Sequence, residues 1–179
     1  MTTSESSSES PGESPAESRP GPWLGVDLGQ VRIGLAVTDP DLILATPLDT
    51  MKRGGRDVGA LAAEIADLAE RHRAKRVVVG YPLNMNGTVG RKAAEAAELA
   101  AALAALGVET ALQDERRTTV QASAQLRAAG RRAKEQRPVI DQAAAVLILQ
   151  AALDASQGPR VGVRRQPVFP ESAPGRVAG

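Results

Sequence analysis

The feature of this sequence that most constrains its fold is an alternation of helical and extended patterns in its middle part. In residues 57–73 apolar side chains recur at helical spacing with charged residues between them, which predicts an amphipathic helix. The apolar run 76–80 follows and predicts a short buried strand. The same two patterns recur as a helix over 91–106 and a strand over 108–113. Because strand, helix and strand alternate, we expect parallel strands joined by right-handed crossovers.

The segments on either side predict an antiparallel beginning and a helical end. Alternating apolar residues before and after the turn Gly29-Gln30 predict a β-hairpin, and a short extended segment adds a third strand. Pro138, a residue favoured in a first helical turn, opens a long last helix. The predicted fold class is therefore α/β: a mixed sheet, with an antiparallel three-strand meander plus parallel strands, and helices on both faces. These flanking elements are predicted over 23–27, 32–39, 45–51, 118–129 and 138–156.

Composition limits the chain to one folded domain with a polar tail at each end. Residues 1–22 are almost wholly Ser, Glu, Pro and Gly, and residues 157–179 are similarly poor in apolar side chains, so we predict two disordered tails around a domain over 23–156. The absence of cysteine excludes disulfides and thiolate metal sites. The sequence shows no signal peptide and no apolar run of the roughly 20 residues that a membrane helix needs. We therefore expect a soluble cytoplasmic protein with no membrane partner.

Three acidic residues are predicted to meet at one edge of the sheet. Asp27 and Glu115 each follow an apolar strand, and the ends of such strands share a crevice in α/β sheets. Asp141 is predicted in the first turn of the last helix, on its core-facing side. A buried carboxylate must be protonated, paired or bound to a cation. Because no Lys or Arg stands at matching positions, we predict a divalent ion, Mg²⁺ or Mn²⁺, held by these three residues.

Each acid also has a simpler explanation that the sequence leaves open. Asp27 could have the purely local role of starting the hairpin turn, and Asp141 could have the purely local role of interacting with the dipole of its helix. Glu115 could form a solvated ion pair with Arg116 or Arg117. No single acid is therefore decisive, and the prediction depends on the joint placement of all three.

Basic residues are concentrated near the end of the predicted domain. Between Arg116 and Arg137 there are seven basic residues and one acid. Such a cluster predicts contacts to a nucleic-acid backbone, with a solvated basic loop as the alternative. Trp23, Tyr81 and Phe169 are the only aromatic residues, so base stacking is a poor explanation for binding. The loop around Asn84 could also contact phosphate or sugar, with a tight connection to the next helix as the alternative. The predicted nucleic-acid-binding residues are Arg32, Asn84, Arg116, Arg117, Arg131, Arg132, Lys134 and Arg137.

Four segments in order resemble the YqgF family, also called RuvX. Residues 25–39 (GVDLGQVRIGLAVTD) resemble the opening of the family, and 78–88 (VVGYPLNMNGT) resemble its loop VGLPLNMDGT, with Tyr81 and Asn86 as departures. Residues 114–120 (DERRTTV) are similar to its DERLTTV motif, with Arg in place of a usual Leu, and 139–150 (VIDQAAAVLILQ) close the match.

The resemblance implies an RNase H-like fold, with Asp27, Glu115 and Asp141 at the positions of an acidic active site. It also implies a metal-dependent nuclease, either one that processes the 5′ end of precursor 16S rRNA or a Holliday-junction resolvase that cuts four-way DNA. A resolvase would need a two-fold dimer, whereas a monomer could trim an end, so both states stay open. The protein could instead be a non-catalytic RNA-binding factor. It could also be an ATPase of the related sugar-kinase type, which would need a second domain that this chain lacks.

Overall fold

The structure is a computed structural model, and it describes residues 20–116 and 137–157; within 137–140 only the backbone is described. Five strands and three helices lie in these two ranges. In chain order they are β1 (Trp23–Leu28), β2 (Arg32–Thr38), β3 (Ala45–Lys52), α1 (Val58–Arg71), β4 (Arg76–Tyr81), α2 (Arg91–Ala105), β5 (Thr110–Asp114) and α3 (Arg137–Ser156).

The strands form one mixed sheet in the order β3-β2-β1-β4-β5. β1 pairs antiparallel with β2, and β2 with β3, while β4 runs parallel to both β1 and β5. The predicted meander followed by parallel crossovers is therefore confirmed. As a consequence β1, β4 and β5 all end at the same edge of the sheet, which is also the edge at which β2 begins.

α1 and α2 cover one face of the sheet with large aliphatic side chains. Leu24 and Val26 of β1 point to this face, as do alternate residues of β2 and β4. Asp57 caps the N-terminus of α1, since its side chain accepts a hydrogen bond from the backbone N–H of Ala60 at 2.7 Å. The buried cluster on this face contains Leu24, Val26, Ile33, Leu35, Leu61, Ile65, Val77, Val79, Leu99 and Leu103.

α3 lies on the opposite face and approaches the sheet closely. Ala145, Ile148, Leu149 and Leu153 form its buried stripe against the strands. The sheet offers small residues there: a Cβ atom added to Gly25 would lie 2.8 Å from Cβ of Leu149. Gln150 joins the helix to β3, the outermost strand on one side of the sheet, because its side chain accepts a hydrogen bond from the backbone N–H of Ala45 at 3.0 Å.

Most element limits differ from the sequence predictions by one or two residues, and two of the differences concern the segments that carry Glu115 and Asp141. β5 begins at Thr110 and includes Asp114, because its pairing with β4 extends to Tyr81 opposite Asp114. α3 begins at Arg137, so the prediction that Asp141 lies in the first turn was wrong; it lies in the second. Proline is tolerated anywhere in a first turn, so Pro138 does not mark the first residue.

Several predictions concern parts of the chain outside the described ranges. The prediction of a helix over 118–129 concerns such a part, and so do the predictions for the two tails, of which the structure describes only 20–22 and 157. Among the described residues no helix is long and apolar enough to cross a membrane.

Candidate active site

A cleft of about 190 Å³ opens at the edge of the sheet where the parallel strands end. Two of the three predicted acids line it, Asp27 from the end of β1 and Glu115 from just beyond β5. β4, the strand between them, contributes Gly80, and Pro82 directly after that strand also lines the cleft. The first half of α2 closes one side. The complete lining is Asp27, Leu28, Gly29, Gly80, Pro82, Lys92, Ala96 and Glu115.

Asp27 is the central acid of this region. It occupies the fifth position of β1 on the face toward α3, and the backbone N–H of Gly29 donates to its carbonyl oxygen at 3.1 Å, so the chain turns directly after it. Burial raises the pKa of its carboxyl to about 6, and the negative charge of Asp141 adds to the rise, whereas Lys92 opposes it. The folded protein therefore disfavours a negative charge at this position.

Glu115 reaches the cleft because its backbone is tied to the neighbouring strand. Its N–H donates to the carbonyl oxygen of Tyr81 at 3.2 Å, at the end of β4. Its carboxylate lies over Gly80, where any Cβ atom would overlap Oε1. Burial raises the pKa of Glu115 to about 7, with further rises from Asp27 and Asp114 and a reduction from Lys92. Two carboxyls with raised pKa values thus share one cleft.

Asp141 approaches Asp27 from the α3 side and does not line the cleft. Its backbone carbonyl packs directly on Gly34, where a Cβ atom would overlap the carbonyl oxygen. Gly34 is the cross-strand partner of Asp27. Asp141 Oδ2 is also 3.9 Å from the guanidinium of Arg32, with both side chains 31% exposed. The three acids are therefore electrostatically coupled in a row, with Asp27 in the middle.

Comparison with known proteins identifies the family that has this arrangement of motifs. The family model described as "RuvX: Holliday junction resolvase" matches residues 21–155. A protein of Mycobacterium tuberculosis (strain ATCC 25618 / H37Rv), named "Putative pre-16S rRNA nuclease", is 51% identical over 138 residues, covering 75% of this chain and 79% of that protein. A protein of Mycobacterium ulcerans (strain Agy99) with the same name is 50% identical over 136 residues, with the same coverage. This chain belongs to the RuvX family.

A solved structure supports the fold of this RuvX protein. The structure titled "T. thermophilus RuvC in complex with Holliday junction substrate" matches with a TM-score of 0.53 and 20% sequence identity, over 78% of this chain and 97% of that chain. At this identity the likeness concerns the fold alone. The predicted family and nuclease class are confirmed by the family match and its relatives, and the predicted RNase H-like fold is confirmed by the RuvC likeness.

The expectation that the acids of the RuvX site have no matching cations was wrong. Arg32 lies beside Asp141, and Lys92 lies close enough to Asp27 and Glu115 to lower the pKa of both carboxyls. Neither cation is near its acid in sequence. Arg32 comes from the strand beside β1, and Lys92 comes from the first turn of α2.

The acids of the cleft fit a hard divalent cation in donor chemistry but do not form a complete set of ligands. Asp27 and Glu115 present carboxylate oxygens, which Mg²⁺ and Mn²⁺ prefer, and binding a cation would offset the cost of ionising two neighbouring carboxyls. In the ranges 20–116 and 137–157, no three His, Cys, Asp or Glu residues lie close enough together to hold a metal. Mg²⁺ commonly takes only one or two protein carboxylates and keeps several waters.

The predicted nucleic-acid-binding residues have different surroundings. Arg116 is held by Asp114, whose Oδ2 accepts from Nε at 2.8 Å and from Nη2 at 2.5 Å, so its charge is already balanced. Asn84 closes its own loop, with its side-chain amide donating to the hydroxyl of Thr88 at 2.9 Å. Arg32 has the contact with Asp141 described above. Arg117, Arg131, Arg132 and Lys134 lie outside the described residues, and of Arg137 only the backbone is described.

Several residues that position the acids of this RuvX protein were not predicted from the sequence. Gly34 and Gly80 let α3 and Glu115 approach the strands, and a glycine inside a strand is a signal of such close approach that could have identified both. Arg53 ties the turn after Asp27 to α2, since it donates to the carbonyl of Gly29 at 3.3 Å and forms an ion pair with Glu95. Lys92 carries no local sequence signal, because its importance depends on where α2 begins.

A larger cleft, of about 480 Å³, lies at the opposite end of the sheet. It lies between α1 and the segment before β5, and its lining includes four alanines together with Asp67, Glu70 and Glu109. The parallel strands begin at that end, whereas they end at the smaller cleft. Strand direction therefore favours the smaller cleft as the active site.

Proposed function

We propose that this RuvX-family nuclease uses Asp27, Glu115 and Asp141 to cut phosphodiester bonds with the help of Mg²⁺ or Mn²⁺. We further propose that its substrate is precursor 16S rRNA, cut at the 5′ end in the cytoplasm. The names of relatives about half identical to this chain favour this RNA as the substrate.

One observation carries the proposal: Asp27 and Glu115 line the same cleft with raised pKa values. Like charges close together in a partly buried cleft destabilise a folded protein, so such an arrangement is retained most readily where a ligand offsets their repulsion. A divalent cation bound at the phosphate-cleaving site is such a ligand. The local explanations for Asp27 and Glu115, a turn and a solvated ion pair, do not account for the proximity of the two residues.

Each acid has a separate part in the proposed chemistry. A bound divalent metal would supply a polarised water and would stabilise charge on the phosphate oxygens. Asp27 and Glu115 would hold the metal and orient the water through their carboxylate oxygens. Asp141, next to Asp27 and paired with Arg32, would raise the pKa of Asp27 from outside the cleft. Arg53 would keep the turn after Asp27 in place against α2.

Cleavage of four-way DNA is the second candidate, because the family model is described as a Holliday junction resolvase. Symmetric cutting of two strands requires a two-fold dimer, whereas end processing can be done by a monomer. The oligomeric state of the active protein therefore discriminates between the two substrates.

The test offers both substrates to the same set of proteins. We expect wild-type protein with Mg²⁺ or Mn²⁺ to cut a precursor 16S rRNA fragment, and EDTA to abolish cleavage. Asp27→Asn and Glu115→Gln each remove a ligand charge, and we expect a loss of about 100-fold or more in single-turnover rate. The mass of the active species is measured by light scattering in the same buffer.

Matched controls use acids remote from the cleft. Asp67→Asn and Glu98→Gln make the same chemical changes on the exposed sides of α1 and α2, and we expect wild-type rates from both. Cleavage of the DNA junction alone, by a dimer, would replace the RNA proposal with the resolvase. RNA binding with no cleavage in either metal would identify a non-catalytic binding factor instead.

A further inference from the structure

Lys92 is a cation of the cleft whose role the proposed chemistry leaves open. It lies in the first turn of α2 and lines the cleft together with Asp27 and Glu115. Its positive charge acts on both carboxyls, so the ammonium lies close to the space in which a substrate group would meet them. We propose that the Lys92 ammonium binds the phosphate group at which the nucleic acid is cut.

The ion pairs around the cleft distinguish Lys92 from three nearby arginines. Arg32 contacts Asp141, Arg53 pairs with Glu95, and Arg116 is held by Asp114 through several hydrogen bonds. Within the described part of the chain, Lys92 has no carboxylate at ion-pair distance, although it lowers the pKa of both cleft acids. Its side chain is exposed and flexible, so the ammonium is available to an incoming anion.

Charge balance favours a phosphodiester as that anion. Ionised Asp27 and Glu115 together carry a charge that a single divalent cation neutralises, and Arg32 offsets Asp141. Lys92 then contributes one excess positive charge at the mouth of the cleft. A phosphodiester carries one negative charge, and a charge-assisted hydrogen bond from an ammonium to a phosphate oxygen is strong where water is partly excluded.

The alternative is that Lys92 only balances the two carboxylates. The two roles predict opposite effects of removing the charge. If Lys92 binds phosphate, its loss weakens nucleic-acid binding and cleavage but leaves metal binding equal or stronger, because a repelling cation has gone. If Lys92 organises the carboxylates for the metal, its loss weakens metal binding first.

The inference rests on the proposed function, and its test uses the full chain with Lys92→Met, Lys92→Arg and a control, Lys75→Met. Lys75 is an exposed lysine at the opposite end of the sheet, and methionine keeps most of its aliphatic stem. Calorimetry measures Mn²⁺ binding without nucleic acid. Equilibrium binding of a precursor 16S rRNA fragment is measured in Ca²⁺ over a range of salt, and single-turnover cleavage is measured in Mn²⁺.

For Lys92→Met we expect Mn²⁺ affinity equal to or a few-fold above wild type, RNA affinity reduced about 10-fold, and a log-log salt slope smaller by about one. Cleavage should fall about 10-fold to 100-fold, with partial recovery in Lys92→Arg. Lys75→Met should match wild type throughout. Weakened Mn²⁺ binding in Lys92→Met, or RNA binding like that of Lys75→Met, would overturn the inference.

The two proposals fail in different ways. If the proposed nuclease function is wrong, wild-type protein and Asp27→Asn give the same result in the cleavage assay. The RNA-binding and Mn²⁺ measurements then still decide whether Lys92 contacts phosphate, because neither requires turnover.

Discussion

The two faces of the sheet differ in the size of the side chains that they present. Toward α1 and α2, β1 and β2 present Leu24, Val26, Ile33 and Leu35, all fully buried. Toward α3 the same strands present small and polar residues apart from Trp23, among them Gly25, Asp27, Arg32, Gly34 and Ala36.

This difference suggests that most residues that stabilise the fold lie on one face and that the acids of the candidate site lie on the other, with Lys92 of α2 added to the cleft. Large aliphatic side chains keep α1 and α2 at a distance and fill the space between them and the sheet. Glycine on the other face lets the backbone of α3 touch the strands, which brings Asp141 to Asp27 across Gly34. Substitutions on the two faces should therefore have different consequences.

The largest loss of stability is expected on the face toward α1 and α2. Leu61→Ala removes a fully buried side chain of α1, and we expect the free energy of unfolding to fall by about 2–5 kcal/mol. Because the acids lie on the other face, the folded fraction should cut RNA at close to the wild-type rate. Urea denaturation and cleavage assays at low temperature measure the two quantities. A loss of cleavage larger than the loss of folded protein would contradict the separation of the faces.

On the α3 face, Gly34→Ala should cost less stability and more activity. The added Cβ would overlap the Asp141 carbonyl, so α3 must shift, at a cost of about 1–3 kcal/mol. The shift moves Asp141 away from Asp27, and we expect cleavage to fall about 10-fold or more.

The matched control for that glycine is Gly59→Ala on exposed α1, where the nearest atom to a new Cβ is 3.4 Å away. Alanine is the better helix former, so this variant should gain roughly 0.5–1 kcal/mol and keep its activity. Equal behaviour of the two glycine variants in denaturation and cleavage would contradict the role of close approach at Gly34.

The acids of the α3 side should make the metal-free protein less stable as the pH rises. The pKa of Asp27 is about 6 in the folded protein against a usual value of 3.8, so folding favours the protonated form. The contribution of the Asp27 carboxyl to the free energy of unfolding is therefore greatest below about pH 4 and is lost as the pH rises through 6. The raised pKa of Glu115 extends this loss of stability to about pH 7. Asp27→Asn should flatten this dependence.

At pH 8 in EDTA we expect Asp27→Asn to be more stable than wild type by about 1–2 kcal/mol, after allowance for partial exposure to water, yet inactive. Mn²⁺ should raise the stability of wild type and leave the variant unchanged. Denaturation between pH 4 and 8 measures both effects, and a wild-type stability that rises over this range would contradict the assigned direction.

The smallest effect is expected from Asp39, at the far end of the α3 face. Its side chain accepts hydrogen bonds from the backbone N–H groups of Ile43 at 2.8 Å and Leu44 at 2.6 Å, which lowers its pKa. Asp39→Ala should cost roughly 1 kcal/mol at neutral pH. Because the pKa of Asp39 is lowered in the folded protein, its contribution to stability is fully present above the usual pKa of 3.8. That contribution is lost as the pH falls through the lowered pKa. A variant that differs from wild type equally at pH 7 and at pH 2 would contradict this.

The sequence predicted the order of the elements well and their exact limits less well. Helical and alternating patterns are local, so α1, α2, β1 and β4 were expected within a few residues of where they lie. β5 was misplaced by one to two residues, because its ends depend on pairing with β4. The start of α3 was misplaced as well, since a proline marks a first turn without marking its first residue.

The sequence indicated that Asp27 and Glu115 would lie close together, but it did not indicate which residues surround them. Asp27 and Glu115 follow apolar strands, and strands of a parallel sheet end at one edge, so their proximity follows from the pattern. Whether Asp141 would line the cleft with them could not be predicted, because the depth of α3 depends on Gly34 in a different strand. The pairing of Arg32 with Asp141 and the presence of Lys92 were not predicted for the same reason, since each cation is close to acids distant from it in sequence.

Local patterning and four recognisable motifs were sufficient, by themselves, to predict the fold class, the family and the proximity of Asp27 and Glu115. The tertiary structure decided which carboxylates share a cleft, which cation faces each of them and how their ionisation is shifted. The physical reason is that periodicity records which side of an element is buried, whereas burial and Coulomb interactions depend on distances between elements that no local segment specifies.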